Sequence, residues 1–222
     1  MNQLTLLDAP EAPKHPARYT DALLTTFVDM LRGADRILDP FGGTGKVFLL
    51  ERWLPWAEIQ AVEIEPEWAA LNPRTTLGNA LDLPWGDGYF DAVCTSPAYG
   101  NRMADTLLDD YERITYTAKL GRPLHADNAG GMQWGDKYRQ FHVAAWTEAT
   151  RVLSSGGRFV LNIKDHIRSG KRQHVTEWHI EALQALGLQL VEHKQVACPG
   201  NRYGQNAAAR VGYESVILFR KP

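Results

Sequence analysis

The stretch Leu38-Asp39-Pro40-Phe41-Gly42-Gly43-Thr44-Gly45-Lys46 decides how this chain is read. It sits between the apolar pair Ile37-Leu38, a short strand, and residues 47–54, which read as a helix ended by Pro55. Glycines in such a turn permit positive φ and let backbone approach a ligand closely. Three nucleotide-type ligands compete for it. A Walker A loop would need glycine at Pro40 and serine or threonine at Val47, which disfavours ATP. A dinucleotide fingerprint on Gly43 and Gly45 would want a small residue at Phe48, so NAD fits poorly. Asp39, at the entrance of the turn, would repel a pyrophosphate and suits a cation instead. An ordinary strand-to-helix turn is the bland alternative.

S-adenosylmethionine (SAM) carries a sulfonium and an ammonium, and is the nucleotide-type ligand whose charge matches Asp39. Residues 59–63 form a second strand ending on Glu63, where a carboxylate can accept both ribose hydroxyls. Pro66 opens a short helix to Leu71, a third strand lies at 75–77, and Gly78-Asn79-Ala80-Leu81-Asp82 follows within reach of an adenine ring. A fourth strand, 90–95, runs into Ser96-Pro97.

The remaining elements extend this pattern. Thr20 caps a helix that Gly33 stops. A helix at 138–153 carries the stripe Tyr138, Phe141, Ala145, Ala149 and Val152, and Ser154-Ser155-Gly156-Gly157 ends it. A strand at 158–163, a helix at 175–186, and strands at 188–196 and 214–220 close the chain. Alternating strands and helices predict a mostly parallel sheet covered on both faces, with ligands beyond the carboxyl ends of its strands.

The 222 residues suffice for one α/β domain spanning 1–222, with 1–14 as a loose, proline-interrupted tail. No apolar run approaches the ~20 residues a membrane span needs. The first residues lack the basic start and apolar core of a signal peptide. Cys94 and Cys198 form no CxxC pair, which disfavours a disulfide framework or structural zinc and suggests a reducing cytoplasm. His174 and His179, five apart, do not align on a helix, and no metal is expected. A net charge of −2 means that any nucleic-acid contact must come from a local basic face.

Thr95-Ser96-Pro97-Ala98-Tyr99-Gly100 resembles the (Asp/Asn/Ser)-Pro-Pro-Tyr motif of the SAM-dependent DNA amino-methyltransferases, which make N4-methylcytosine or N6-methyladenine. Ala98 stands where a second proline is usual. The resemblance implies a class I SAM-dependent methyltransferase fold, Rossmann-like, with a mostly parallel seven-stranded sheet and helices on both faces. It also implies catalytic roles for Ser96, Pro97 and Tyr99. An aromatic amine is a poor nucleophile because its lone pair is delocalised into the ring. The Ser96 side chain and the Pro97 carbonyl can accept its two protons, pull the nitrogen towards tetrahedral geometry and aim the lone pair at the methyl carbon. Tyr99 is expected to stack on the base, worth ~1–3 kcal/mol, after the base has flipped out of the duplex.

His15-Pro16-Ala17-Arg18-Tyr19 resembles the family segment bordering the methionine end of SAM. That adds His15 and Tyr19 to the cofactor set of Asp39, Pro40, Phe41, Gly42, Gly43, Gly45, Glu63, Asn79 and Ala80. Residues 148–165 and 214–221 resemble the family's later elements. Many Ser-Pro-Pro-Tyr enzymes carry the motifs in a circularly permuted order.

Residues 100–137 show little periodicity and begin on the catalytic turn, so they are expected to form a recognition or lid insertion. Asn101 and Arg102 within it, with Lys164 and Arg168 after the fifth strand, are candidate substrate contacts, the latter two to phosphates. The polar run 201–206 receives no role. The function expected is SAM-dependent methylation of a base amine in DNA, as in restriction–modification, with N4-cytosine ahead of N6-adenine because serine opens the motif. RNA base methylation, protein glutamine methylation (for which a full Asn-Pro-Pro-Tyr is expected) and a SAM-binding regulator with little catalysis are the alternatives. Oligomeric state stays open.

Overall fold

The computed structural model describes residues 19–100, 116–198 and 209–222. The tail at 1–14, His15, Asn101, Arg102 and the run at 201–206 lie outside them. Thr20 caps α1 (Asp21–Leu31) by accepting a hydrogen bond from Leu23 N–H at 3.3 Å. β1 (Arg36–Asp39) and β2 (Glu58–Glu63) pair in parallel, and β3 (Thr75–Leu77) adds on the outer side of β2. On the other side of β1 lies β4 (Phe90–Thr95), then β5 (Leu153–Ile163). β9 (Tyr213–Arg220) runs antiparallel between β5 and β8 (Gln189–Ala197). The sheet order is β3-β2-β1-β4-β5-β9-β8, and it reverses between β1 and β4. Such a reversal opens a crevice at the carboxyl ends of the two strands.

Neighbouring residues in each strand face opposite layers, as the pleat requires. Ile37 packs with Leu23, Phe27 and Leu50 below α1, while Leu38 packs with Trp146, Ala149 and Phe159 below α4 (Asp136–Val152). The second layer is completed by α5 (Val175–Ala185) through Val175 and Leu183. Smaller helices are α2 (Pro66–Ala69) and α3 (Tyr116–Leu120). No helix among the described residues is long and apolar enough to cross a membrane.

Two local expectations are corrected. The helix after the glycine turn is a 3-10 helix, Lys46–Arg52. Buried Val47 and Leu50 are three apart, so a three-residue turn superposes them on one face towards the core. Residues 154–157 do not separate α4 from the next strand. β5 already begins at Leu153, opposite Phe90, and the register jumps to Ala92 opposite Arg158, so the serine-glycine run bulges out of the ladder. The charged stretch after β5 is a hairpin of β6 (His166–Arg168) and β7 (Lys171–Gln173), turning on Ser169 and Gly170, both at positive φ. Buried Asp165 holds it: one carboxylate oxygen accepts from Arg172 Nε at 2.7 Å and the other from Thr176 N–H at 2.8 Å.

Candidate active site

The glycine turn leaves β1 at the crevice. Gly42 N–H donates to the Val62 carbonyl at 2.8 Å, and a Cβ there would lie 2.7 Å from that of Ala61, so only glycine lets the turn press onto β2. Gly43 and Gly45 both take positive φ. Asp39, almost fully buried, accepts from Phe41 N–H at 3.0 Å and from Thr95 Oγ1 at 2.7 Å, which ties the turn to the end of β4. Burial raises its pKa to about 6, the two hydrogen bonds opposing the rise.

Glu63 ends β2. Its Oε2 accepts from Gly43 N–H at 2.7 Å and its Oε1 from Glu65 N–H at 2.8 Å. Burial lifts this carboxyl to about 7. Two residues on, the fully buried Glu65 reaches the insertion. It accepts from His125 N–H and Asn128 Nδ2, both at 2.8 Å, and pairs with Arg122 at 2.8 Å. Asn79, after β3, accepts from Leu81 N–H and donates to Asp127 at 3.1 Å. These bonds bring residues 122–130 against the carboxyl edge of the sheet.

The result is a cleft bordered by Pro40, Phe41, Gly43, Glu63, Asn79, Ala80, Ser96 and Pro97 from the sequence-derived set. Tyr116, Asp127 and Asn128 of the insertion, with Trp68 and Phe141, complete much of the wall. The described part of the insertion therefore forms short helices beside the cleft, where the sequence predicted little periodicity. The polar Asp127-Asn128 pair carried no recognisable sequence signal, because it reaches the cleft through contacts with residues some 50–60 positions away.

Other described members of the predicted set do not line the cleft. Gly42 and Gly45 shape the turn. Tyr19 packs edge-on to Phe27 at 5.2 Å, and its hydroxyl titrates well above the usual range through burial and the nearby Asp39, Tyr99 and Glu214. Tyr99 was expected to present its ring to a base, yet it packs against the core cluster around Leu161 and is not among the described residues bordering the cleft. Its hydroxyl lies 3.2 Å from Ser96 Oγ and donates to Glu214 Oε2 at 3.3 Å. Asn162 on β5 reaches Ser96, Tyr99 and Glu214 with one amide nitrogen, at 3.1, 3.2 and 2.7 Å. The aromatic rings on the cleft wall are Phe41, Trp68, Tyr116 and Phe141.

Ala98 is held from the other layer. Trp146 Nε1 donates to His179 Nδ1 at 3.0 Å, so the imidazole proton sits on Nε2 and is given to Tyr138 Oη at 3.0 Å. Tyr138 in turn donates to the Ala98 carbonyl at 2.8 Å. Lys164 and Arg168 stand beyond the same end of β5, and Arg168 contacts the Trp134 carbonyl at 3.5 Å. The described residues include no cluster of potential metal ligands.

No family model and no curated protein matches the sequence. Solved structures do resemble the fold. A SAM-dependent methyltransferase from Methanosarcina mazei superposes with a TM-score of 0.57 at 14% identity, covering 88% of this chain and 96% of that one. Geranyl diphosphate C-methyltransferase from Streptomyces coelicolor A3(2) gives 0.57 at 14%, covering 90% and 77%. The cyclase SpnF gives 0.56 at 17%, covering 90% and 80%. Strand order and these likenesses together establish the class I SAM-dependent methyltransferase fold, with its mostly parallel seven-stranded sheet, for this chain.

Proposed function

We propose that this protein is a SAM-dependent methyltransferase acting on the exocyclic amine of a base in DNA, with N4 of cytosine ahead of N6 of adenine. The observation that carries the reading is that Ser96 and Pro97 border the same cleft as the glycine turn and Glu63. Cofactor and amine acceptors then meet in one place. Fold alone does not supply this conclusion, since one fold hosts many chemistries.

The residues present fit SAM. Asp39 and Glu63 are carboxyl groups whose ionised forms burial disfavours, so a ligand bringing positive charge and hydroxyl donors offsets that cost. Each Glu63 oxygen accepts one backbone N–H and retains a lone pair for a ribose hydroxyl. Asn79 and Ala80, which line the cleft, would hold the adenine of SAM. When bound, SAM supplies an electrophilic methyl group on a sulfonium.

The chain's own part is to orient the amine. Ser96 Oγ and the Pro97 carbonyl accept its two N–H groups and turn its lone pair towards the methyl carbon, while the apolar walls exclude water. Phe41, Trp68, Tyr116 and Phe141 offer the faces against which a base can stack. Lys164 and Arg168 contact phosphates and position the strand.

Incubation with methyl-labelled SAM and either DNA or RNA, followed by nucleoside analysis, tests the reading. Label in N4-methylcytosine or N6-methyladenine from DNA is expected. Label only in RNA, or none in any polynucleotide despite SAM binding, would overturn it.

A further inference from the structure

Glu214, on the antiparallel strand β9, sits at the end of a part-buried chain of hydroxyls that starts on the catalytic turn. The order is Ser96 Oγ, Tyr99 Oη, Glu214 Oε2, with separations of 3.2 and 3.3 Å. Asn162, 1% exposed, bridges all three, its short 2.7 Å bond going to Glu214. Cys198 donates to the other carboxylate oxygen at 3.2 Å. Among the described residues, Tyr19, Tyr116 and Lys164 are the further ionisable groups that act on members of this cluster.

The hydrogen inventory gives this chain a direction. An ionised carboxylate only accepts, so Tyr99 must donate to Glu214. The lone pairs of Tyr99 are then turned to Ser96, whose proton points at Tyr99. Ser96 is left presenting an acceptor to the cleft. Burial and the neighbouring Glu214 push the Tyr99 hydroxyl well above its usual range, which keeps it a donor. The two O···O distances exceed the ~2.7–2.8 Å of a strong hydroxyl bond, and catalytic hydrogen bonds are often long until substrate is in place.

We propose that Glu214 is a positioning residue that sets Ser96 as a hydrogen-bond acceptor and receives, through Tyr99, the proton the methylated amine must lose. The inference rests on the amino-methyltransferase reading above. The amine lone pair forms the new nitrogen–carbon bond as the carbon–sulfur bond of the donor breaks, its electron pair staying on sulfur. The nitrogen-bound proton passes to Ser96 Oγ as the serine proton moves to Tyr99 Oη and the tyrosine proton to Glu214 Oε2. The net products are a neutral N-methyl amine, a thioether and a protonated Glu214, which afterwards releases its proton to solvent. Tyr99 thus serves through its hydroxyl.

Glu214→Gln tests this, because its amide can donate towards Tyr99 and reverse the chain. The target base is first mapped with the wild-type protein; absence of transfer there sinks the amino-methyltransferase reading and the relay with it. On the mapped duplex, Glu214→Gln should lower kcat by about 100-fold, in the range for lost acid–base assistance, with affinity for S-adenosylhomocysteine unchanged. A second readout needs no turnover. In the presence of S-adenosylhomocysteine, the wild type should bind a target base bearing an amine more tightly than one bearing a carbonyl, and Glu214→Gln should lose or invert that preference. Glu214→Asp should restore part of both. Tyr99→Phe, which keeps the ring and deletes the middle hydroxyl, should reproduce the kcat loss even if Glu214→Gln proves unstable. Wild-type kcat or an unchanged amine preference in a folded Glu214→Gln or Tyr99→Phe protein would overturn the relay while leaving the methyltransferase reading intact.

Discussion

Tyr138 Oη, in the first turn of α4, donates to the carbonyl of Ala98 at 2.8 Å. The position where the resembling motif carries a second proline is thereby held by a hydrogen bond from the neighbouring layer. Proline stiffens a turn by restricting the unfolded chain, by roughly 0.4–1 kcal/mol. The Tyr138 bond can supply a comparable constraint, since a typical net hydrogen bond is worth about 0.5–1.5 kcal/mol.

Tyr138→Phe removes the hydroxyl that joins His179 to Ala98 and leaves two buried groups without it. An unsatisfied buried group costs about 1–3 kcal/mol. The expected fall in Tm is about 2–4 °C for each kcal/mol lost in a chain of this length. Turnover should fall as well, because the turn proposed to be catalytic loses its tether. Thermal unfolding with a parallel kcat measurement checks both, and an unaltered Tm would show that the bond carries no stability.

Asp39→Asn should make the ligand-free protein more stable at neutral pH while weakening cofactor binding. The sign follows from burial, which lifts the carboxyl from 3.8 to about 6. Between those values the folded state holds more protons than the unfolded, so this group's contribution falls as pH rises. His142 works in the opposite sense: burial lowers it from 6.5 to about 4, so its contribution is present above about 6.5 and is lost as pH falls. The difference in Tm between variant and wild type isolates Asp39. It should grow in the variant's favour from pH 4 to 6 and then level off, at ~1.4 kcal/mol per pKa unit. A difference independent of pH would contradict the assignment, and calorimetry with SAM reads the expected affinity loss.

Glu65→Ala should release the insertion from the cleft while the sheet stays folded. Its carboxylate receives two hydrogen bonds and one ion pair from residues 122–128. Losing even one such buried bond, at about 1–3 kcal/mol, amounts to roughly a tenfold change in local opening. Hydrogen exchange should accelerate over 116–131 and not in β1 or β4, and SAM should bind more weakly. Exchange unchanged in that segment would remove Glu65 as its anchor.

A double substitution, Lys164→Ala with Arg168→Ala, should weaken DNA binding for every sequence alike. Each phosphate neutralised contributes about 0.9 to the slope of log affinity against log salt. Losing both contacts should flatten the slope by about 1.8. A slope equal to that of the wild type would place the phosphate contacts elsewhere.

Local information was enough for most of the fold. The strands at 75–77 and 90–95 and the α1 cap were readable because strand composition and capping chemistry act over a few residues. The glycine turn, Glu63, Asn79, Ser96 and Pro97 were legible for a related reason. In a parallel sheet every strand ends on the same side, so residues at strand ends converge whatever lies between them.

Other features depended on contacts distant in sequence. The bulge at 154–157 exists because β5 must meet both Phe90 and Ala92 of β4. The Asp127-Asn128 wall depends on Asn79 and Glu65, and the fixed tautomer of His179 on Trp146 and Tyr138. Periodicity and motif spacing placed Ser96 at a strand end, which borders the cleft, since both are properties of a short run of chain. Only the packing of β9 against β5 brought Glu214 to Tyr99, 115 residues apart. A buried hydroxyl takes its direction from whichever acceptor the tertiary fold sets beside it, and no local pattern encodes that neighbour.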